Sequence, residues 1–290
     1  MNNSLIVARV TKEHRGARLL SFLSHYVGGA VSTKGIKRAI DARLCRVNGV
    51  VEYFSTHPLK EGDKVELRLD PVQKPKILEP TILYDDEHML ICNKPAGVIS
   101  DARSFSFKAC ILVHRLDKDT SGALVFAKSS SVYEILCRQF RQREVQKSYL
   151  AVVDGKVSAP SGKMEDYLVK RRHYQGQTIW GISSKKEGLY ALTHWKRVKV
   201  FQNATVLLCR PVTGRMHQLR VQLHAIGHPI LGDYQYSRTF SYPGSLERHL
   251  LHAESISMSH PVTQKNLQII APVERCDMQP FLNTMQKKYC

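Results

Sequence analysis

The chain has 290 residues, of which 43% are hydrophobic and 23% are charged, as in an ordinary soluble globular protein with a sizeable core. It carries 43 Lys and Arg against 25 Asp and Glu, a formal net charge of +18 at pH 7, and such a charge attracts polyanions. Nucleic acid is the first partner that this charge indicates, and an anionic membrane surface is the second. Because no stretch approaches the ~18 consecutive apolar residues of a spanning helix, we expect no membrane partner.

The N-terminus and the cysteines both indicate the cytoplasm. Residues 1–9 contain no basic stretch followed by a long apolar core, so they do not resemble a secretory signal. The seven cysteines are odd in number, are widely scattered and never form a Cys-x-x-Cys pair. This pattern favours reduced, mostly buried thiols over a disulfide framework or a zinc site.

Residues 1–72 are predicted to form a small α/β domain. Apolar residues recur at helical spacing in residues 19–27 and again in residues 36–40. An Asn-Gly turn between β-branched residues in 45–51 predicts a hairpin, and alternation in residues 64–69 predicts a further strand. Two short helices followed by a small sheet resemble an S4 RNA-binding domain.

The cations of this domain are clustered in sequence. Nine Lys or Arg occur between residues 9 and 46, against two acidic residues, Glu13 and Asp41. A solvated helix face explains any single exposed cation equally well, but like charges on one small domain repel each other unless an anion neutralises them. We therefore predict RNA phosphate contacts from Arg18, Lys34, Lys37, Arg38 and Arg43.

The rest of the chain is predicted to be a linker followed by a larger domain. Residues 73–80 interrupt the periodicity with two prolines and are typical of an extended linker. Residues 81–290 form the larger domain. It opens with two predicted strands in residues 82–94, which flank an acidic turn and lead into a Pro-Ala-Gly turn.

The most distinctive stretch is residues 114–122, which read HRLDKDTSG between two short apolar runs. Apolar runs bounded by turn residues are typical of buried strands, so the polar stretch is predicted to be a loop held by a sheet. Asp117 and Asp119 could suggest a glycosidase-like carboxylate pair, but such a pair needs a separation of roughly 5 Å or more. The composition of residues 119–122 favours a hydrogen-bonded turn at Asp119, and from the residues alone a loop or capping aspartate is a better explanation of Asp117 than a catalytic one.

Three later motifs also carry polar residues at the ends of predicted elements. Residues 147–149 read KSY in a predicted strand, where a tyrosine most often fills the core. Residues 211–221 read PVTGRMHQLRV and predict a strand, a Thr-Gly turn and a helix, which leaves Arg215 beside the free N–H groups of the first helical turn. Residues 227–236 read GHPILGDYQY.

Together these motifs resemble those of the RluA-type pseudouridine synthases. Residues 114–122 match the HRLDxxTSG signature completely, and the later segments resemble the Lys-x-Tyr, TGRxHQxR and GHPxxGDxxY motifs. The chain departs from the family at Met216, where threonine is usual, at Gln222, where histidine is frequent, and in a shorter segment at 98–113. The resemblance implies an α+β catalytic domain built on a mixed, largely antiparallel sheet, behind an S4-like domain.

The resemblance also implies a role for each matching residue. Asp117 would be the catalytic aspartate, Arg215 the cation that holds it ionised and oriented, and Tyr149 the aromatic residue that stacks on the base. Arg115 would help to displace the target uridine from the RNA stack. The other predicted substrate contacts are His114, Lys147, His217 and Leu219.

The implied reaction breaks the uridine N-glycosidic bond, turns the detached base and rejoins it through carbon 5, so no cofactor is expected. No metal is expected either, because the spacing of the histidines between residues 217 and 252 matches no metal site. Large-subunit ribosomal RNA is the favoured substrate, transfer RNA remains an alternative, and the protein is expected to be a monomer. The rival interpretations are a non-catalytic RNA-binding or ribosome-assembly factor and a glycoside hydrolase acting on nucleosides.

Overall fold

The computed structural model describes residues 4–41, 44–52, 54–69, 79–101, 104–105, 107, 109–174, 177–244, 246–273 and 278–282; for residues 172–174 and 177 it describes the backbone alone. The chain divides into two compact units. One comprises residues 1–77 with 172–179, and the other comprises 78–171 with 180–290. Residues 73–78 of the predicted linker lie outside the described residues, so the linker stays a prediction.

The first unit contains two helices and a four-stranded antiparallel sheet in the order β1-β4-β2-β3. Its elements are β1 (Ser4–Arg9), α1 (Leu19–Tyr26), α2 (Thr33–Asp41), β2 (Cys45–Val47), β3 (Val50–Val51) and β4 (Lys64–Leu69). Asn48 and Gly49 both have positive φ, 53° and 80°, as a tight hairpin turn requires. The two helices and the hairpin thus lie where the sequence predicts them.

The predicted RNA contacts of this unit lie on its surface where they are described. The apolar faces of the helices are buried, with Leu19, Leu23, Ile36 and Ile40 packed in one core, and the cations lie on the opposite faces. The exposed ones are Arg18, Lys34, Lys37 and Arg38, whereas Arg43 lies outside the described residues.

The second unit is built on one eleven-stranded sheet. The strands in the part of the chain that contains Asp117 are β5 (Thr81–Asp85), β6 (Met89–Lys94), β7 (Ile111–Leu112), β8 (Ser121–Ala127) and β9 (Gln146–Asp154), with α3 (Ser130–Gln142) before β9. The loop that carries Asp117 lies between β7 and β8. The remaining elements are β10 (Ser161–Tyr174), β11 (Gln177–Ser183), β12 (Leu189–Val200), β13 (Ala204–Pro211), α4 (Gln218–Ala225), β14 (Leu251–Ser259), β15 (Asn266–Ile270) and α5 (Gln279–Leu282).

The strand order is β11-β10-β12-β13-β9-β14-β8-β6-β5, and β15 and β7 pair with β14 and β8 respectively. The pairings whose register is described are antiparallel, except that β8 and β14 run parallel, with Ser121 opposite His252 and Gly122 opposite Ala253. The predicted mixed, largely antiparallel sheet is therefore confirmed.

One segment differs from its prediction. Residues 162–186 are predicted from sequence to be exposed basic connections, but most of them belong to β10 and β11. The reason is that β10 pairs antiparallel with β12 from Ser161 to Leu168 and buries Met164 and Leu168 on one face. Gly162, Asp166 and Lys170 lie on the same face as these two residues and conceal the period-2 pattern.

Packing places α4 against the strands that carry the motifs. Leu219 and Leu223 of α4 are buried in one cluster with Ala151 and Val153 of β9 and Leu207 of β13.

Burial raises the pKa of Cys45, Cys92 and Cys209 to about 12, which agrees with inert buried thiols. Across the described ranges, no helix has the length and apolar character needed to cross a bilayer.

Candidate active site

Asp117 lies in the loop between β7 and β8, at the start of a tight turn. Thr120 donates its N–H to the Asp117 carbonyl at 3.0 Å, which closes a turn that contains Asp119. The Ser100 hydroxyl donates to the carbonyl of Leu116 at 2.9 Å and accepts the N–H of the same residue at 3.2 Å. The backbone on both sides of Asp117 is therefore fixed, and Asp119 lies in the turn that the sequence predicts.

A buried lysine anchors this loop from the neighbouring strand. Lys94 is the last residue of β6 and its side chain is fully buried. Its Nζ donates to three carbonyl oxygens, those of Pro95 at 2.9 Å, Val98 at 2.8 Å and Lys118 at 3.0 Å. Burial lowers the pKa of Lys94 to about 7, although the nearby charge of Asp119 acts in the opposite direction. Lys94 thus ties the Pro-Ala-Gly turn to the loop that carries Asp117.

The residues that lead into β14 hold the other side of the loop. Arg248 is buried, and its Nη1 donates to the carbonyl of Asp119 at 3.1 Å. The same nitrogen contacts the carbonyls of His249 and Leu251 at 3.1 and 3.3 Å. The hydroxyl of Thr120 lies 2.9 Å from Nε2 of His249. The segment before β14 therefore helps to position the loop that carries Asp117.

Two side chains of the α4 region face the Asp117 carboxylate. Arg220 donates from Nη1 to Oδ2 of Asp117 at 3.0 Å, and Nε2 of His217 lies 3.9 Å from Oδ1. Burial alone would raise the pKa of Asp117, but the charge of Arg220 and its hydrogen bond outweigh it, so the pKa lies below its usual value. Asp117 is therefore ionised at neutral pH.

Arg220 is itself held by a second carboxylate. Its Nε donates to Oδ2 of Asp233 at 2.7 Å and its Nη2 donates to Oδ1 at 2.8 Å, a bidentate pair. Nη2 also donates to Oε1 of Gln235 at 2.5 Å. Burial would lower the pKa of Arg220, but Asp233 and Asp117 outweigh it and raise the pKa further. The remaining Nη1 is thereby directed at Asp117.

The predicted ion pair between Arg215 and Asp117 is wrong, because Arg220 occupies that position. Arg215 Nε donates instead to the Tyr190 carbonyl at 3.0 Å, and its backbone N–H donates to Oε1 of Gln218 at 2.9 Å. The physical reason is the start of α4. Residue 217 adopts the left-handed conformation and the helix begins at Gln218, so the face of α4 that carries Arg220 points toward the loop.

Tyr149 is the aromatic residue for which the sequence predicts stacking on the base. Its half-buried ring packs against both the cluster that contains Leu219 and the cluster that contains Leu116. Burial and the charge of Asp117 raise the pKa of the Tyr149 hydroxyl, so it remains protonated at neutral pH. Tyr149 is therefore close enough to feel the charge of Asp117, and its ring packs against the cluster that contains Leu219.

The other predicted substrate contacts fall into two groups. Arg115 is exposed two residues before Asp117, and Lys147 is half-buried with its pKa lowered by burial. His114 instead packs inward. Its ring stacks on Phe140 with centroids 4.7 Å apart, and its Nε2 accepts the N–H of Val125 at 3.2 Å. Burial and the charge of Lys147 lower the pKa of His114 to about 3, so this histidine is neutral and holds the loop to β8.

Sequence reasoning missed several residues of the site, namely Lys94, Arg220, Asp233, Gln235, Tyr236 and Arg248. A signal exists for one pair. Arg220 directly follows Leu219, which lies on the predicted apolar face of the helix, so burial of Arg220 can be expected. A buried arginine requires a carboxylate partner. Asp233, in the Gly-Asp turn of residues 232–233, is the acidic residue of the next motif. No local signal shows that Lys94 or Arg248 reaches the loop of Asp117, since the carbonyls that they bind there, those of Lys118 and Asp119, come from a distant segment.

The site combines the ionised carboxylate of Asp117, the fixed guanidinium of Arg220 and the neutral imidazole of His217. The protonated hydroxyl of Tyr149 is the fourth group. The side chain of Asp117 is 27% exposed, whereas those of Arg220 and Asp233 are 7% and 2% exposed. Asp117 can therefore contact a substrate while its partners stay fixed. In the part of the chain that the structure describes, no cluster of three or more His, Cys, Asp or Glu side chains could hold a metal ion.

The chain is similar to known proteins over most of its length. The family profile described as RNA pseudouridylate synthase matches residues 88–225. The ribosomal large subunit pseudouridine synthase C of Escherichia coli (strain K12) is 32% identical over 309 aligned positions, which cover 93% of this chain and 94% of that protein. The protein of the same description from Haemophilus ducreyi is 32% identical and covers 91% of each chain.

A solved structure shares the fold. Human RNA pseudouridylate synthase domain containing 4 superposes with a TM-score of 0.57 at 23% identity, over 71% of this chain and 93% of that chain. The chain belongs to the RNA pseudouridylate synthase family. It is accordingly an isomerase that converts uridine to pseudouridine in RNA, and the RluA-type resemblance in residues 114–122 is confirmed.

Proposed function

We propose that this enzyme acts on ribosomal RNA of the large subunit and that Asp117 is its catalytic residue. The observation that carries the assignment is the Asp117 carboxylate, ionised by Arg220 at 3.0 Å and still 27% exposed. The substrate class follows from relatives named as large-subunit ribosomal enzymes that match more than nine-tenths of this chain. Transfer RNA is the alternative substrate that the experiment must separate.

The proposed chemistry is an isomerisation in which no atom is lost. The bond between C1′ of the ribose and N1 of uracil breaks, the base turns, and a bond forms between C1′ and C5. The proton on C5 leaves and N1 gains one, so charge and atoms balance. Asp117 acts at the sugar as a carboxylate, and Arg220 keeps it charged and oriented throughout.

Tyr149 and Arg115 are assigned to the base. The flat ring of Tyr149, whose hydroxyl stays protonated, stacks on the turning uracil and excludes water from it. Arg115, exposed beside Asp117, occupies the gap that the displaced uridine leaves in the RNA stack. Lys147 and Leu219 complete the contacts around the nucleotide.

Binding of the RNA outside the target nucleotide is assigned to the cations of the S4-like unit, since Lys34, Lys37 and Arg38 all extend from α2 into solvent.

The proposed site draws every group from one chain, which favours a monomer, and a ribosomal RNA substrate favours the cytoplasm. Gel filtration of the purified protein measures whether it is a monomer.

The substrate is tested with purified enzyme and two RNA samples from a strain that lacks the gene, ribosomal RNA and transfer RNA. Pseudouridines are mapped at nucleotide resolution before and after incubation. New pseudouridine in the large-subunit ribosomal RNA is the expected result. Modification of transfer RNA alone would replace the proposed substrate, and release of free uracil would indicate a hydrolase.

A further inference from the structure

His217 occupies an unusual backbone position directly before α4. Its φ and ψ are 54° and 20°, in the left-handed region, which non-glycine residues adopt at a cost of about 1 kcal/mol or more. This conformation brings Nε2 of the ring to 3.9 Å from Oδ1 of Asp117, and the side chain remains 15% exposed. His217 therefore faces the carboxylate oxygen opposite the one that Arg220 binds.

The second ring nitrogen of His217 meets a tyrosine. Nδ1 lies 2.8 Å from the hydroxyl oxygen of Tyr236, and the two rings are perpendicular at 89°. The same hydroxyl accepts the backbone N–H of Trp180 at 3.2 Å. The Tyr236 ring also lies over the guanidinium of Arg220, 5.0 Å from Cζ to the centroid. One tyrosine thus touches both partners of Asp117.

The protons of this chain of contacts can be assigned. The Trp180 N–H can only donate, so it occupies a lone pair of the Tyr236 oxygen. The hydroxyl proton of Tyr236 then needs an acceptor, and Nδ1 of His217 at 2.8 Å supplies one if it carries no proton. Nε2 then carries the ring proton and directs it toward the ionised Asp117, whereas the other tautomer would direct a lone pair at a carboxylate.

Burial and the charge of Arg220 support a neutral ring. They lower the pKa of His217 to about 4, against the opposing charges of Asp117 and Asp233. A distance of 3.9 Å exceeds a direct hydrogen bond to Asp117. The Nε2–H can therefore donate to an oxygen of the target nucleotide that enters beside Oδ1.

We propose that Tyr236 is a positioning residue that holds His217 in its Nε2–H tautomer, with that N–H directed at the nucleotide oxygen beside Asp117. The inference rests on the proposed catalytic role of Asp117 and adds a hydrogen-bond donor to that site. Tyr236 acts through His217, since its own hydroxyl is occupied by Trp180 and the imidazole.

The test compares Tyr236→Phe with wild type in the full chain. Phenylalanine keeps the ring over Arg220 and removes the hydroxyl. Nitrogen NMR of protein labelled at histidine reports the tautomer, and the His217 signals are assigned by their loss in His217→Gln. Wild type should show a protonated Nε2 and a bare Nδ1, whereas Tyr236→Phe should show a mixture of tautomers. The kcat on RNA should fall about tenfold, with a smaller change in KM.

Tyr242→Phe is the matched control, because it removes a tyrosine hydroxyl from a ring that packs on Phe281 and is expected to leave both readouts unchanged. A wild-type His217 protonated at Nδ1 overturns the inference, even if Tyr236→Phe fails to fold. So does a Tyr236→Phe protein with wild-type tautomer and rate. Full activity of Asp117→Asn would instead overturn the proposed function, which separates the two failures.

Discussion

At the scale of single residues, the charge of Asp117 depends on Arg220. Burial favours the protonated acid, and the arginine reverses that preference. Arg220→Gln removes the cation, so the pKa of Asp117 should rise and the acid limb of the pH–rate profile should move to higher pH. At neutral pH the rate should fall by about 10²-fold, the usual loss when one preorganised electrostatic partner is removed.

Arg215→Gln is the companion variant, because the same substitution is made five positions earlier, at a residue that bonds to the Tyr190 carbonyl. Its acid limb should stay at the wild-type pH. Rates are measured across the pH range in which circular dichroism shows both proteins folded. A shift in the Arg215 variant without one in the Arg220 variant would restore the pairing that the sequence predicts.

His114 should make the protein sensitive to acid. Its folded pKa is about 3, below the ordinary value of ~6.5, so between these values the unfolded chain binds a proton that the folded chain does not. Stability contributed by the neutral ring is therefore lost as the pH falls from ~6.5, by up to about 1.4 kcal/mol per pH unit.

His114→Gln provides the measurement, because glutamine can still accept the Val125 N–H but binds no proton. The free energy of unfolding in urea, followed from pH 7 to pH 4, should fall less steeply for this variant than for wild type. Parallel pH dependences would show that His114 is not buried as a neutral ring.

The limits of the sequence are visible in the two arginines of the TGRMHQLR segment. Both lie in the same motif, and a linear pattern cannot tell which one reaches Asp117. The answer depends on the left-handed conformation at His217 and on the partner that Asp233 supplies from the next motif. Asp117 and Tyr149 were accessible because their motif positions are distinctive, whereas Lys94 and Arg248 bind backbone carbonyls and leave no sequence pattern.

At the scale of elements, the loop that carries Asp117 depends on the close pairing of β8 and β14. Gly122 has φ +114°, and a Cβ there would lie 2.2 Å from the carbonyl oxygen of Ala253. Gly122→Ala should therefore cost more than about 3 kcal/mol, since backbone strain adds to a clash with main-chain atoms that cannot move independently. Activity should fall with it, because the loop ends immediately before β8, which contains this residue.

Gly227→Ala separates strain from the clash. Gly227 also has positive φ, +83°, but an added Cβ would meet no atom within 4 Å, so the cost should be about 1 kcal/mol. Urea unfolding of the two variants measures the difference. Equal destabilisation would mean that β14 can move away from Gly122 and that the pairing is not tight.

Elements in which apolar residues recur with a regular period can be predicted from the sequence, whereas elements in which other residues interrupt that period cannot. The hairpin at Asn48-Gly49 and the helix at Leu219-Leu223 follow from turn chemistry and spacing. Strands β10 and β11 escape prediction because glycines and, in β10, charged residues interrupt their apolar positions. In β10, Gly162, Asp166 and Lys170 share the face of Met164 and Leu168, and this face is defined only by pairing with β12. Tertiary context overrides local propensity there.

At the scale of the whole molecule, the net charge of +18 should make RNA binding strongly dependent on salt. A triple variant with Lys34, Lys37 and Arg38 changed to Gln should bind RNA more weakly. It should also lower the slope of log affinity against log salt concentration by about 2 to 3, which is about 0.7 to 0.9 for each phosphate that is no longer neutralised.

Lys64→Gln is the control in the same unit, because Lys64 is paired with Glu66 at 2.7 Å. Its slope should match that of wild type. Affinities are measured by filter binding at a series of salt concentrations. A triple variant with the wild-type slope would remove α2 from the RNA-binding surface.

A basic N-terminal region and a larger C-terminal region are predicted from charge distribution and periodicity. The assignment of residues 172–179 to the first unit cannot be predicted in this way, because it depends on β10 and β11, which the sequence pattern does not reveal. Charge indicates the class of partner, but only the site indicates the chemistry.

The proposed mechanism depends on one group, the Asp117 carboxylate that Arg220 holds ionised. The most direct test incubates ribosomal RNA from a strain lacking the gene with purified wild type or Asp117→Asn, and maps pseudouridine in each. Arg220 keeps its bidentate partner Asp233 in this variant, so the fold should survive. Pseudouridine formation should fall by about 10³-fold or more, whereas a wild-type rate from a folded Asp117→Asn protein would contradict the mechanism.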